Sequence, residues 1–291
     1  MADTVGMQDI RGLNVTKAVT GFALANYVFK DRLCLVQSSS SWQERYYQES
    51  ASDLSASGTG NSFEDIPRLA NFPHGEVSWT QQNSYHRKFG AETRLSYEDI
   101  ISNDVDVLAR SLLRIGRAIA KAVDAEIWDV ITESRTVVNI TSLTIAAGKE
   151  WDAVTLSERD PIKNILDAKV QIALQNYDPE GAFLCLSPQD YANLLSNANV
   201  RNAGQFYTSS VTERGEVGQI CGLRILVSPN VTADYAAIVI GKEAATWKEL
   251  APLQTRTMED AGIGTTIRAW EIGVCQLKNP KAVCLIINTQ A

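Results

Sequence analysis

Histidine is almost missing from this chain: His74 and His86 are the only two in 291 residues. A Ser-His-Asp triad or a histidine-rich metal site has little to be built from. Cysteine is scarce and never spaced as Cys-x-x-Cys. Cys34, Cys185, Cys221, Cys275 and Cys284 are odd in number, and four lie in apolar, strand-like settings such as FLCL and AVCLII. Thiols in such places behave as small hydrophobes, which implies a reducing compartment without a disulfide framework. No run of 18 apolar residues occurs, and the N-terminus has no basic-then-apolar pattern, so neither a membrane helix nor a secretion signal is expected. The phosphate cradles G-x-x-x-x-G-K-[ST] and G-x-G-x-x-G are absent, and Gly215, Gly218 and Gly222 read as turn glycines. There is no basic excess: a net charge of −7 argues against a dedicated nucleic-acid binder. Arg110, Arg114, Arg117 and Lys121 form one local basic group, read as a solvated helix face. Glu259 and Asp260 adjoin in a turn without a second group to separate their pKa values. No catalytic residue, cofactor or metal is expected.

What the chain does have is a long helical period. In Ser102–Ser134, residues Val105, Leu108, Leu112, Ile115, Ile119, Val123, Ile127 and Val130 recur at steps of three or four, placing them on one helix face. Thirty-odd residues at 1.5 Å each give roughly 45 Å, more than a compact domain needs. Ser102, Asn103 and Asp104 supply a cap and early negative charge. Arg110, Arg114, Arg117, Lys121, Asp124, Glu126 and Asp129 interrupt it too often for a bilayer. Such a helix without an equal partner predicts a flat subunit covered by copies of itself.

Around it the pattern changes. Residues 1–62 read as an arm, with no clean period over Ala18–Val36 and a Ser-, Gly- and Gln-rich stretch from Gln37 to Ser62. Asp65–Phe72 and Val77–Phe89 read as a hairpin around Pro73, His74 and Gly75, polar on both faces and therefore expected to lie across something else. After the long helix come strands at Thr136–Ile140 and Leu143–Ile145, then a helix over Asp160–Asn176 with Pro161 in its first turn. Ala182–Leu186 is a buried strand. Ser187 caps a short helix through Leu195. Two strands meet near Gly222 within Gly215–Asn230, and Tyr235–Ile240 is another strand, giving a small α/β unit over 158–248. Leu250–Arg256, Gly264–Leu277 and Ala282–Asn288 are strands expected to return to the layer of the long helix. Trp79, Trp247 and Trp270 are candidates for interface anchors or core.

The order of these parts resembles the major capsid proteins of tailed double-stranded DNA viruses, with the Hong Kong 97-type fold. The Ser-rich arm is followed by a two-stranded loop over 63–98 that leads into SYEDIISNDVDVLARSLLRIGRAIAKAVDAEIWDVI, similar to the family's extended loop and spine helix. GAFLCLSPQDYANLLSN with GEVGQICGLRILVSPN resembles its apical subdomain, and GIGTTIRAWEIGVCQLKNPKAVCLIIN its last peripheral strands. The resemblance covers about 63–288. It implies an α+β fold with an arm (1–62), extended loop (63–98), peripheral subdomain with spine helix (99–157), apical subdomain (158–248) and returning strands (249–291).

The implied function is structural. Hexamers and pentamers would close an icosahedral shell in the virion, assembled in the host cytoplasm. Portal, scaffold and possibly decoration proteins would be partners, with packaged DNA only nearby and no membrane. Arg68, Trp79, Tyr85, His86, Arg87 and Lys88 of the loop are expected to touch a neighbouring subunit. Removing Arg68–Lys88 is expected to spare folding and prevent shells. Some relatives carry a removable N-terminal scaffolding segment. Here the loop begins near residue 63 of a chain starting at Met1, so a separate scaffold or none is expected. Other relatives join a loop lysine to an asparagine with a glutamate's help; Lys88 is the loop's only lysine and lies at its base, so crosslinking is not carried over. An encapsulin-type compartment shell and a small α/β enzyme remain as alternatives.

Overall fold

The structure, a computed structural model, describes residues 12–24, 26–49, 55–56, 63, 66, 68–72, 75–76, 79–98, 105–198, 200 and 218–291. In chain order the elements are α1 (Gly12–Leu24), α2 (Lys30–Leu33), β1 (Cys34–Ser38), β2 (Gln43–Glu49), β3 (Ser55–Ala56), β4 (Gly75–Glu76), β5 (Trp79–Tyr85), β6 (Arg87–Ser96) and α3 (Val105–Ile131). Then come β7 (Thr141–Thr144), α4 (Pro161–Ala173), β8 (Phe183–Leu186), α5 (Pro188–Ser196), β9 (Gln219–Ile220), β10 (Leu223–Val227) and β11 (Tyr235–Val239). β12 (Ala245–Asp260), β13 (Gly264–Leu277) and β14 (Val283–Ile287) complete the chain. One sheet has the order β1-β12-β13-β6 and a second β7-β14-β11-β8-β10-β9; β2 pairs with β5, and β3 with β4.

The long helical period becomes α3, 27 residues and about 40 Å. Leu112, Ile115, Ile119, Val123, Ile127 and Ile131 are buried against the four-stranded sheet and α1, while Val130 is half-buried. The expected capping residues 102–104 lie outside the described residues. Gly116 interrupts the apolar row because α1 crosses there: a Cβ would sit 3.1 Å from the Ala23 nitrogen and 3.2 Å from the Phe22 Cβ. At its C-terminus the Thr132 hydroxyl donates to the Trp128 carbonyl at 2.7 Å. Glu133, Ser134, Arg135 and Val137 then take positive φ, and the Glu133 carboxylate accepts from the Val138 and Asn139 N–H groups at 2.7 and 2.8 Å. That reversal occupies the place where a strand over 136–140 was expected.

The stretch read as the first part of an arm is core instead. Val19, Ala23, Phe29, Leu33 and Cys34 are buried, and β1 joins the sheet parallel to β12. Asp124, read as an interruption of the helix's apolar face, is buried and useful. Its Oδ2 accepts from Val28 N–H at 2.7 Å, and its Oδ1 from Phe29 and Lys30 N–H at 3.2 Å each. The Phe29 and Lys30 donors are orphans at the start of α2, and Val28 comes just before its cap. Burial pushes the Asp124 carboxyl up to about 6, and the three N–H groups pull the other way. Beside it, Lys30 donates to Glu249 at 3.0 Å and to Glu271, and the Tyr27 hydroxyl donates to Glu271 at 2.5 Å. Burial lowers the Lys30 pKa, but the two carboxylates more than offset it, leaving it above its ordinary value.

The six-stranded sheet buries Leu184, Leu186, Ala236, Ile238, Cys284 and Ile286 against α4 and α5. Asp160 caps α4 by accepting from Lys163 N–H at 3.1 Å, with Pro161 next, and Ser187 caps α5 by accepting from Asp190 N–H at 3.0 Å. The sheet draws β7 and β14 from outside the expected 158–248 unit. β14 pairs with β11 and β7 here rather than joining the sheet under α3; only β12 and β13 return there. Val283–Ile287 is buried on both faces, as a central strand requires.

Candidate assembly surface

The expected hairpin exists with a different partner strand. Among the described residues of 63–72 there is no strand, and Pro73 and His74 lie outside the described residues. Val77–Phe89 is split by His86 into β5 and β6. β5 pairs antiparallel with β2, from Gln43 opposite Tyr85 to Glu49 opposite Trp79, so the loop begins near residue 43. β6 leaves the ribbon and runs beside β13 for ten residues. The ribbon's base is closed by His86 N–H donating to the Trp42 carbonyl at 3.1 Å.

Period-two alternation gives the ribbon two unlike faces. Glu44, Tyr46 and Gln48 share one face with Ser84 and Gln82, and this face is turned to the molecule. Gln276 Nε2 donates to the Ser84 hydroxyl at 2.8 Å, and Lys248 lies 4.0 Å from Glu44. At the ribbon's end Glu49 N–H donates to the Lys278 carbonyl at 2.9 Å, and the Tyr177 hydroxyl to the Glu49 carboxylate at 2.8 Å. The other face carries Gln43, Arg45 and Tyr47 with Tyr85, Asn83, Gln81 and Trp79. Tyr47, Tyr85 and Trp79 are 60%, 59% and 52% exposed, and Trp42 beside them 55%. Large amphipathic rings grouped on a rigid polar ribbon are the composition of a protein–protein contact surface.

The six expected contact residues divide. Arg68, Trp79 and Tyr85 are exposed. His86 is not presented to a neighbour: it is 3% exposed, with Nε2 3.0 Å from the Ser39 hydroxyl, and burial lowers its pKa. Arg87 pairs with Glu126 of α3, and the Lys88 ammonium sits 5.5 Å from the Trp270 ring centroid. Both lie on β6, which pairs with β13 through the backbone, and both side chains are exposed. Trp42, Arg45 and Tyr47, exposed on or beside the same face, were not singled out because 37–62 reads as a Ser-rich arm; the alternation in QERYYQE was the available signal. Of the other tryptophans, Trp247 is fully buried and Trp270 half-buried.

A second apolar surface runs along α4. Ile165, Ala168 and Ile172 face the core, while Leu166, Val170 and Leu174 on the opposite side are 45%, 53% and 66% exposed. Among the described residues no group of three or more His, Cys, Asp or Glu side chains is placed to hold a metal ion.

A sequence family described as phage capsid protein matches residues 83–286. No curated protein sequence matches the chain. Solved structures do. The cyanophage P-SCSP1u capsid gives a TM-score of 0.66 at 16% identity, covering 88% of this chain and 86% of that one. A virus-like particle from Pyrococcus furiosus gives 0.63 at 13%, covering 96% and 100%. The mature capsid of bacteriophage PhiM1 gives 0.60 at 13%, covering 89% and 86%.

Proposed function

Since this chain belongs to the phage capsid protein family and has the α+β Hong Kong 97-type fold, we propose that it is the major capsid protein of a tailed double-stranded DNA virus. Copies of it form hexamers and pentamers that close the icosahedral head. The observation that carries this reading is the outer face of the β2–β5 ribbon, where Tyr47, Trp79 and Tyr85 are more than half exposed. Each ring exposes on the order of 100 Å², so covering it contributes about 2–3 kcal/mol per copy. A shell repeats that contact at every subunit edge.

In this reading α3 and the β1-β12-β13-β6 sheet are the peripheral subdomain and its spine. The region 158–248 with the exposed stripe of α4 is the apical subdomain, gathered around the five- and six-fold axes. The ribbon from residue 43 lies over a neighbour. Arg68, Trp79 and Tyr85 keep the contact role first expected of them, joined by Tyr47. The role is structural, the shell lies in the virion and assembles in the host cytoplasm, and portal and scaffold proteins are its partners. Sedimentation and negative-stain microscopy of the purified chain test this: particles or capsomer rings are expected, and a monomer under every assembly condition overturns it. A compartment shell of the encapsulin type is the second reading, supported by full coverage of the Pyrococcus furiosus particle chain. Terminase and portal genes beside this one mean a virus, and a ferritin-like or peroxidase gene a compartment.

A further inference from the structure

A shallow, open depression of about 650 Å³ lies between α2 and the end of the six-stranded sheet, lined by Arg32, Phe183, Gly218, Gln219 and Arg224 together with Ile225 and Leu226. Two guanidinium groups from separate elements line it, and among the described residues no carboxylate does. Arg224 stands opposite Phe183 on the neighbouring strand, its guanidinium carbon 5.7 Å from the ring centroid. That stack holds the planar fork in place while leaving its N–H groups to donate elsewhere. Among the described residues nothing lies within 4 Å of the position a Cβ would take on Gly218.

The walls are fixed to each other. A Cβ on Gly241 would lie 2.5 Å from the Phe183 ring and 2.7 Å from the Arg32 carbonyl oxygen, so only glycine lets α2 and β8 meet there. Lys242 N–H donates to the Leu33 carbonyl at 2.7 Å and pins the end of α2 to the same turn. The backbones that carry the two arginines are therefore held together, and both arginines are exposed on the same depression.

We propose that this depression is a phosphate-binding site. A tetrahedral phosphate offers enough acceptor oxygens for two forks and the Gln219 amide at once, whereas one fork already satisfies a carboxylate. The volume exceeds that of an inorganic ion and admits a phosphodiester with its sugar. This inference does not depend on shell formation: it concerns the isolated subunit and is tested there.

Calorimetric titration of the full chain with inorganic phosphate is the test, with Arg32→Gln, Arg224→Gln and the double variant. Arg117→Gln, on an exposed face of α3, serves as reference, and near-ultraviolet circular dichroism shows that each variant is folded. Each single variant is expected to weaken phosphate binding about tenfold, and the double variant to abolish saturation. Arg224→Lys, which keeps the charge but not the fork, should fall between wild type and Arg224→Gln. Equal phosphate affinity in wild type and the double variant overturns the proposal, as does an equal loss in Arg117→Gln. Tighter binding of a glutamate-rich peptide than of phosphate through the same arginines also overturns it. A fluorescent oligothymidylate identifies the source. For nucleic-acid phosphate, the slope of log affinity against log salt becomes shallower by about 1.4 in the double variant. An unchanged slope, with phosphate binding lost, assigns the site to free phosphate.

Discussion

Replacing Asp124 by alanine separates two forces that act on one buried carboxylate. The side chain is 1% exposed and accepts from three backbone N–H groups at the start of α2. Leaving those donors unpaired costs about 1–3 kcal/mol each, or about 5 in all. Against this stands the burial of the charge. The carboxyl titrates at 3.8 when unfolded and at about 6 in the folded chain, a gap worth about 3 kcal/mol. The sign follows from which state holds the proton. Below 3.8 both are protonated and the burial cost is absent. Between 3.8 and about 6 the unfolded chain ionises first, so stability falls as pH rises; above 6 the whole cost is present. Asp124→Ala lacks this component. Its penalty is therefore about 5 kcal/mol near pH 4 and shrinks to about 2 at pH 7. Urea unfolding of dilute, unassembled subunits measures it, followed by the fluorescence of Trp128, which stacks with Phe29 at 6.0 Å beside α2. A penalty that grows with pH would refute the reasoning, because hydrogen bonding would then dominate burial.

Three other perturbations have defined outcomes. Lys30→Met leaves Glu271 and Glu249 without their cation in a buried site and should cost about 3–5 kcal/mol by the same unfolding assay. His86 has its pKa lowered by burial, so the unfolded chain takes up the proton first as pH falls. Stability present above pH 6.5 is then lost on acidification towards the folded pKa, and His86→Asn should show a flatter pH profile over that window. Tyr47→Ser combined with Trp79→Ser removes exposed rings only. Subunit stability should change by less than about 0.5 kcal/mol, while the threshold concentration for particles, read by light scattering, rises at least about tenfold.

Periodicity made the long elements legible. α3 follows from its apolar spacing, α4 and α5 from Asp160-Pro161 and Ser187-Pro188, and β13 from the β-branched and aromatic residues Thr265, Thr266, Ile267, Trp270, Ile272 and Val274 spread along it. What stayed hidden was partnership. The pairing of β2 with β5 joins residues 30 to 42 positions apart, and a polar strand such as QERYYQE carries no mark of which strand it faces. Composition was misleading in the same place, because serines around residue 40 made a rigid strand look like solvent-exposed arm. Asp124 read as an interruption of an apolar face, and Gly116 carried no signal at all. Each is explained only by α1 and α2 packing there, a contact between segments about a hundred residues apart. The break at His86 was hidden for a related reason: Trp79 and Tyr85 stand on β5, but Arg87 and Lys88 belong to β6, which pairs with β13 instead of β2.

That boundary also redraws the decisive deletion. Removing Arg68–Lys88 would take the first two pairs of β6 with β13, at Arg87 and Lys88, as well as β5. Removing 43–85 instead, with a short Gly-Ser link, is compatible with the backbone because Trp42 and His86 are already joined by a 3.1 Å hydrogen bond. Electron microscopy of this shortened chain, alongside its unfolding curve, measures whether the ribbon serves the subunit or the assembly. A cooperative unfolding transition with no particles at any concentration is the expected result. Particles of normal shape formed without the ribbon would contradict the account.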